Sequence, residues 1–255
     1  VQANAYGEVV QEFAEAGQSL VEYPATRFAA QLKNVAYMIS GGLQTNVYVV
    51  NLGGFDTHAN QVVAGDATTG VYAELMQTLG DALAAFHQDL TAQGLDKRVL
   101  SMTFSEFGRR IRSNAGYGSD HGTAAPLFLM GSCVKAGVLG ENAEIGEDVD
   151  VNEGVPLQYD FRDIYGTVFE EWFELEPEQV RTVLGHDYVH LSDQKIKEMN
   201  RSAKRASFLS HTDRYERGAG YAESCNAHYY PKWLRWADGS WSPKDGSDSR
   251  AQRLQ

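Results

Sequence analysis

The sequence predicts an α/β domain with a mostly parallel sheet and helices on both faces, followed by an irregular C-terminal tail. Three observations predict it. Helix-like and strand-like segments alternate over residues 1–193. The strand-like segments are short, β-branched runs of the kind buried on both faces of a parallel sheet. Charge and patterning then break. Residues 1–193 carry 10 Lys and Arg against 27 Asp and Glu, a net −17, whereas residues 194–255 carry 12 against 7, a net +5 with poor apolar periodicity.

From Pro24 a helical pattern places Phe28, Leu32, Val35 and Ile39 on one face and stops at Gly41-Gly42. Asn46-Val47-Tyr48-Val49-Val50-Asn51-Leu52 reads as a buried strand and empties into Gly53-Gly54-Phe55-Asp56-Thr57-His58. A long helix follows over 71–93, with Val71, Leu75, Leu79, Leu83, Phe86 and Leu90 at three- and four-residue steps, ending at Gly94. A second buried-type strand, residues 98–104, empties into Ser105-Glu106-Phe107-Gly108-Arg109-Arg110. A Gly- and Ser-rich loop carries Asp120-His121-Gly122, residues 126–130 read as a short strand, and residues 160–175 as an amphipathic helix. In open α/β sheets the polar site lies beyond the carboxyl ends of the strands, where these motifs fall.

Composition excludes several classes. The chain has 255 residues, 43% of them apolar, enough for a sizeable core. The net charge of −12 argues against a general nucleic-acid binder, which needs clustered Lys and Arg. No run approaches 18 apolar residues, so no membrane span is expected. Two cysteines, Cys133 and Cys225, make neither a disulfide framework nor a four-thiolate zinc site, and read as two unpaired thiols, one bridge between them in an oxidising compartment being the alternative.

Three segments carry chemistry. Asp56 and His58 stand two apart on a turn, so carboxylate and imidazole can converge on one cation; the donor pair suits Zn, Mn or Fe better than Ca. The alternative is an Asp that caps the next helix and a His bonded to backbone. Glu106 at a strand end can be a ligand or general base, and Arg109 three residues on can grip a phosphate or sulfate, unless the two form a structural ion pair. Asp120 and His121 are adjacent, so their side chains diverge. They share one cation only on a bent backbone, or serve two ions of a binuclear site. Of seven histidines, His58 and His121 fall in these segments, which chance would rarely arrange.

The order Gly53-Gly54-Phe55-Asp56-Thr57-His58, Phe104-Ser105-Glu106-Phe107-Gly108-Arg109, Asp120-His121-Gly122-Thr123-Ala124-Ala125-Pro126 resembles the DUF1501 family of bacterial exported proteins, over residues 23–184. Ser105 to Ile111 and Gln158-Tyr159-Asp160-Phe161-Arg162 resemble its Bacteroidota members most. The family is grouped with the alkaline phosphatase/sulfatase-like superfamily. The resemblance implies a three-layer αβα sandwich, a periplasmic, cell-surface or extracellular location, and a metal-dependent hydrolase of phosphate or sulfate esters. It implies divalent ions, Zn, Mn or similar and possibly two, with Asp56, His58, Asp120 and His121 as ligands. Glu106 is then a ligand or base and Arg109 the oxyanion clamp. Thr57 and Ser105 are nearby hydroxyls without an assigned role.

Family segments of the type Gly-Gly-Asn-Asp-Gly and Ser-His-Phe are not found here, so the resemblance implies a chain that starts inside the family's domain, its N-terminal half lying elsewhere or in a partner chain. Where relatives carry a further His, this chain has Gly70-Val71-Tyr72. A non-catalytic cell-surface or assembly component that keeps the fold is the competing expectation. In the tail, His228-Tyr229-Tyr230-Pro231-Lys232-Trp233-Leu234-Arg235-Trp236 interleaves aromatic and basic residues. It suits packing against the acidic body, a stacking platform for sugars or single-stranded nucleic acid, or an ending foreign to the family.

Overall fold

The structure, a computed structural model, describes residues 2–191. The tail expected over 194–255, with Cys225 and its aromatic run, lies outside the described residues. The elements are α1 (Gln2–Ala16), α2 (Arg27–Gly41), α3 (Val71–Ala92), a 3-10 turn (Asp96–Arg98), β1 (Ser101–Met102), β2 (Gly108–Ser113), β3 (Ser119–Gly122), β4 (Leu129–Met130), α4 (Phe161–Glu171) and α5 (Pro177–Leu184). The class is mixed α/β. Two units are distinguished, one running to Gln158 and the other beginning at Tyr159.

In the first unit α2 forms where its apolar period requires. The Thr26 side chain accepts the Ala29 N–H at 3.1 Å as N-cap, and Gly42, at φ 97°, terminates the helix in the left-handed conformation. Its buried face (Phe28, Leu32, Val35, Ile39) packs with Ala82, Phe86 and Leu90 of α3, and Tyr48, Val50, Leu52 and Val99 close over this core. Burying one such large side chain stabilises the fold by roughly 1.5–3 kcal/mol. Helix α1 crosses α2 so closely that a Cβ on Gly41 would overlap the Phe13 carbonyl.

A carboxylate is buried in this unit. Asp89 of α3 is fully buried, accepting the Leu20 N–H at 2.8 Å, the Tyr23 hydroxyl at 3.0 Å and the Gln93 amide at 2.8 Å. It ties segment 17–23 to α3. Burial alone would push its pKa up, but these donors and the Ser19 hydroxyl outweigh burial and hold it below the usual carboxylate range.

The expected parallel sheet is not formed by the described residues. Among the described residues the strands form two antiparallel pairs, β1 with β4 and β2 with β3. Segment 46–52 alternates as a strand should, Tyr48, Val50 and Leu52 turning to the helical core while Val47 and Val49 are 39% and 59% exposed. No strand among the described residues pairs with it, so it is covered on one face and not on both. Of the expected strand over 98–104, only Ser101 and Met102 join a ladder, and Arg98 belongs to the 3-10 turn. Asp120-His121-Gly122, expected on a loop, lies in β3.

In the second unit Asp160 caps α4 through the Arg162 N–H, and Pro177 with the Glu176–Gln179 capping box starts α5. Gly166, Thr167, Val168, Val180 and Leu184 are its buried residues among those described. Among the described residues no helix is long and apolar enough to cross a membrane.

Candidate metal centre

The β2–β3 hairpin builds the site by docking its turn onto the loop that follows segment 46–52. Its register pairs Arg109 with His121 and Gly108 with Gly122. At the turn, the Asn114 side-chain oxygen accepts the N–H groups of Gly116 (2.9 Å) and Gly118 (3.2 Å). Its amide donates to the His58 carbonyl at 2.8 Å and to Asp120 Oδ1 at 3.3 Å. The Asn60 N–H donates to the Gly116 carbonyl, and the Ser119 N–H to that of Thr57. Gln61 Oε1 accepts from both the Thr57 and Ser119 hydroxyls, at 2.8 and 2.7 Å.

This docking brings three side chains to one point. His121 Nε2 lies 2.7 Å from Asp56 Oδ1, His58 Nε2 lies 3.1 Å from the same oxygen, and the two Nε2 atoms are 3.2 Å apart. Bonds of about 2.0–2.1 Å to one ion place adjacent donors roughly 2.9 Å apart in an octahedron and roughly 3.4 Å apart in a tetrahedron. The observed spacings fit one cation, and two imidazoles with a carboxylate suit Zn, Mn or Fe. All three residues are exposed, which leaves room for further ligands.

Asp120 stands on the other side of His58, with Oδ1 3.0 Å from Nδ1. When Nδ1 carries the hydrogen, the Nε2 lone pair faces Asp56 and His121, the orientation a metal ligand needs. Arg110 lies 3.6 Å from Asp120 Oδ2 and donates to Asn152 and to the His121 carbonyl. The hydrogen bond with His58, and that from Asn114, hold the Asp120 carboxyl below its usual range; the bond with His121 does the same for Asp56. Both carboxylates are therefore ionised and ready to face a cation.

The other expected site residues are placed as follows. Glu106 is exposed and has no hydrogen bond or ion pair among the described residues. Arg109 is not free toward solvent: Nη1 donates to the Ser119 carbonyl at 2.6 Å and Nη2 to that of Phe55. The Thr57 hydroxyl is given to Gln61 and that of Ser105 to the Phe107 carbonyl. Tyr72 meets Phe55 edge-on, with centroids 6.1 Å apart.

Three contributors escape a reading by residue type. Phe107 stacks on His121 with centroids 3.7 Å apart, and Asn114 and Gln61 staple the two segments. The signal for Asn114 is the turn sequence Asn114-Ala115-Gly116-Tyr117-Gly118, where the glycines admit the close approach. A Cβ on Gly118 would overlap the His58 carbonyl. Gly118→Ala is therefore expected to push His58 out of the cluster and weaken Zn2+ binding at least tenfold by titration calorimetry, while circular dichroism keeps the helical signal of α2 and α3.

The family model described as "Protein of unknown function (DUF1501)" matches residues 25–196, a span that includes all three motifs. Comparison with curated proteins finds no significant match, and comparison with solved structures finds none.

Proposed function

The chain belongs to the DUF1501 family, and from that premise we propose that it is an exported, metal-dependent hydrolase of phosphate or sulfate esters. The observation that carries the reading is the convergence of Asp56, His58 and His121 on one open point. A divalent ion held there would polarise an ester oxygen and lower the pKa of a water. On this reading Asp120 keeps His58 turned toward the ion. Glu106, beside the Phe107 that stacks on His121, is the uncommitted carboxylate available as base. The Bacteroidota type and the three-layer αβα sandwich belong to the same proposal. The sandwich would need strands beside segment 46–52, whose outward valines suit such a layer.

The test is hydrolysis of p-nitrophenyl phosphate and p-nitrophenyl sulfate by the purified chain, with Zn2+ or Mn2+ and with a chelator. Turnover of either ester that needs metal and is lost in Asp56→Ala supports the reading; metal bound without turnover of any ester tried rejects the hydrolase. A second reading, the non-catalytic cell-surface or assembly component, is favoured by one observation. Arg109, Asp120 and Asn114 tie the motif segments together by internal hydrogen bonds, as a purely structural site would. It expects no turnover under any metal.

A further inference from the structure

We propose that Arg109 is a positioning residue of the metal centre, fastening the Asp56 loop to the β2–β3 hairpin and so setting the affinity of the triad for a divalent cation. The inference rests on the reading of Asp56, His58 and His121 as a metal site. An Arg beyond a strand suggests an anion grip, but the hydrogen bonds this guanidinium makes run to the protein. Nη1 donates to the Ser119 carbonyl at 2.6 Å, and Nη2 to the Phe55 carbonyl while lying 3.5 Å from Asp56 Oδ1. Its side chain is only 16% exposed.

These contacts straddle the ligands. Phe55 precedes Asp56, and Ser119 stands two residues before His121. The Arg109 Cζ lies 5.1 Å from the centroid of the Phe107 ring, whose stacking fixes the His121 imidazole. Arg109 is also the ladder partner of His121. One planar group therefore bridges, together with the Asn114 and Gln61 staples, the two chain segments that carry all three donors. A rigid fork with separate nitrogens reaches both carbonyls at once, which the point charge of Lys does not. In the ion-free chain His121 Nε2 is hydrogen-bonded to Asp56 Oδ1, and a brace that keeps the two segments in register before the ion arrives lowers the ordering cost of binding.

The test uses the full chain and Zn2+ alone as probe. Calorimetry is expected to show Arg109→Ala and Arg109→Lys binding Zn2+ about 10–100-fold more weakly than wild type, the range for groups that orient ligands. Hydrogen exchange in the ion-free protein should rise over 53–58 and 119–122 with α2 and α3 unchanged, and guanidinium ion should restore part of the affinity of Arg109→Ala. Unchanged Zn2+ affinity in both variants overturns the inference while leaving the metal reading intact. So does a loss that only tracks faster exchange in α2 and α3, since that reports general destabilisation. A wild-type chain that binds no Zn2+ fails both the metal reading and this inference, a result distinct from either.

Discussion

His121→Ala is expected to weaken divalent-metal binding by more than about a hundredfold, beyond the loss typical for residues that only orient a ligand. His121 Nε2 is the donor nearest Asp56 Oδ1, at 2.7 Å, and its removal leaves one carboxylate and one imidazole on an exposed surface. Two donors hold a Zn2+ or Mn2+ ion poorly against water. Asp120→Asn serves as the internal comparison. It keeps all three donors and changes only the group facing His58 Nδ1, so it should bind more tightly than His121→Ala and more weakly than wild type. Calorimetric titration of the three proteins with Zn2+ reads this order directly. Equal affinity in wild type and His121→Ala would remove the triad as a metal site.

Asp89→Ala is expected to lower the unfolding free energy by about 2–4 kcal/mol, because it strands donors inside the fold and frees segment 17–23. Urea denaturation measures it, and a loss under about 0.5 kcal/mol, the level of an ordinary surface change, would show that the carboxylate is dispensable. The pH dependence has a defined sign. The folded pKa of Asp89 is depressed, so its contribution is fully present above the ordinary carboxylate range and is lost as pH falls through the depressed folded value. Asp89→Asn should therefore flatten the acid limb of the stability profile while leaving its slope near neutrality unchanged.

Helices α2, α3 and α4 were legible because their signal is local, whereas α1 and α5 went unread. Phe28, Leu32, Val35 and Ile39 recur at helical steps, and Gly42 needs the left-handed conformation that ends α2. The sheet was not. Val47 and Val49 are as apolar as Tyr48 and Val50, so a segment covered on one face reads as one covered on two. Strand β2 contains Arg109, Arg110 and Arg112 and lacks the β-branched run that marks a buried strand, so the hairpin was read as loops.

The chemistry of the site was legible by residue type, its geometry only in part. Period-two alternation in β3 separates Asp120 from His121, which explains why one faces His58 Nδ1 and the other Asp56. No pattern in side chains reveals that Arg109 reaches backbone carbonyls, because carbonyl positions are a property of the fold.

The openness of the triad has a kinetic consequence. With Asp56, His58 and His121 all exposed, an ion held there on the proposed reading would arrive and depart without any part of the chain opening, so its exchange with the surroundings would be rapid. Occupancy would then follow supply and the Irving–Williams order. The metal such a centre would carry would be decided by the compartment in which the protein works.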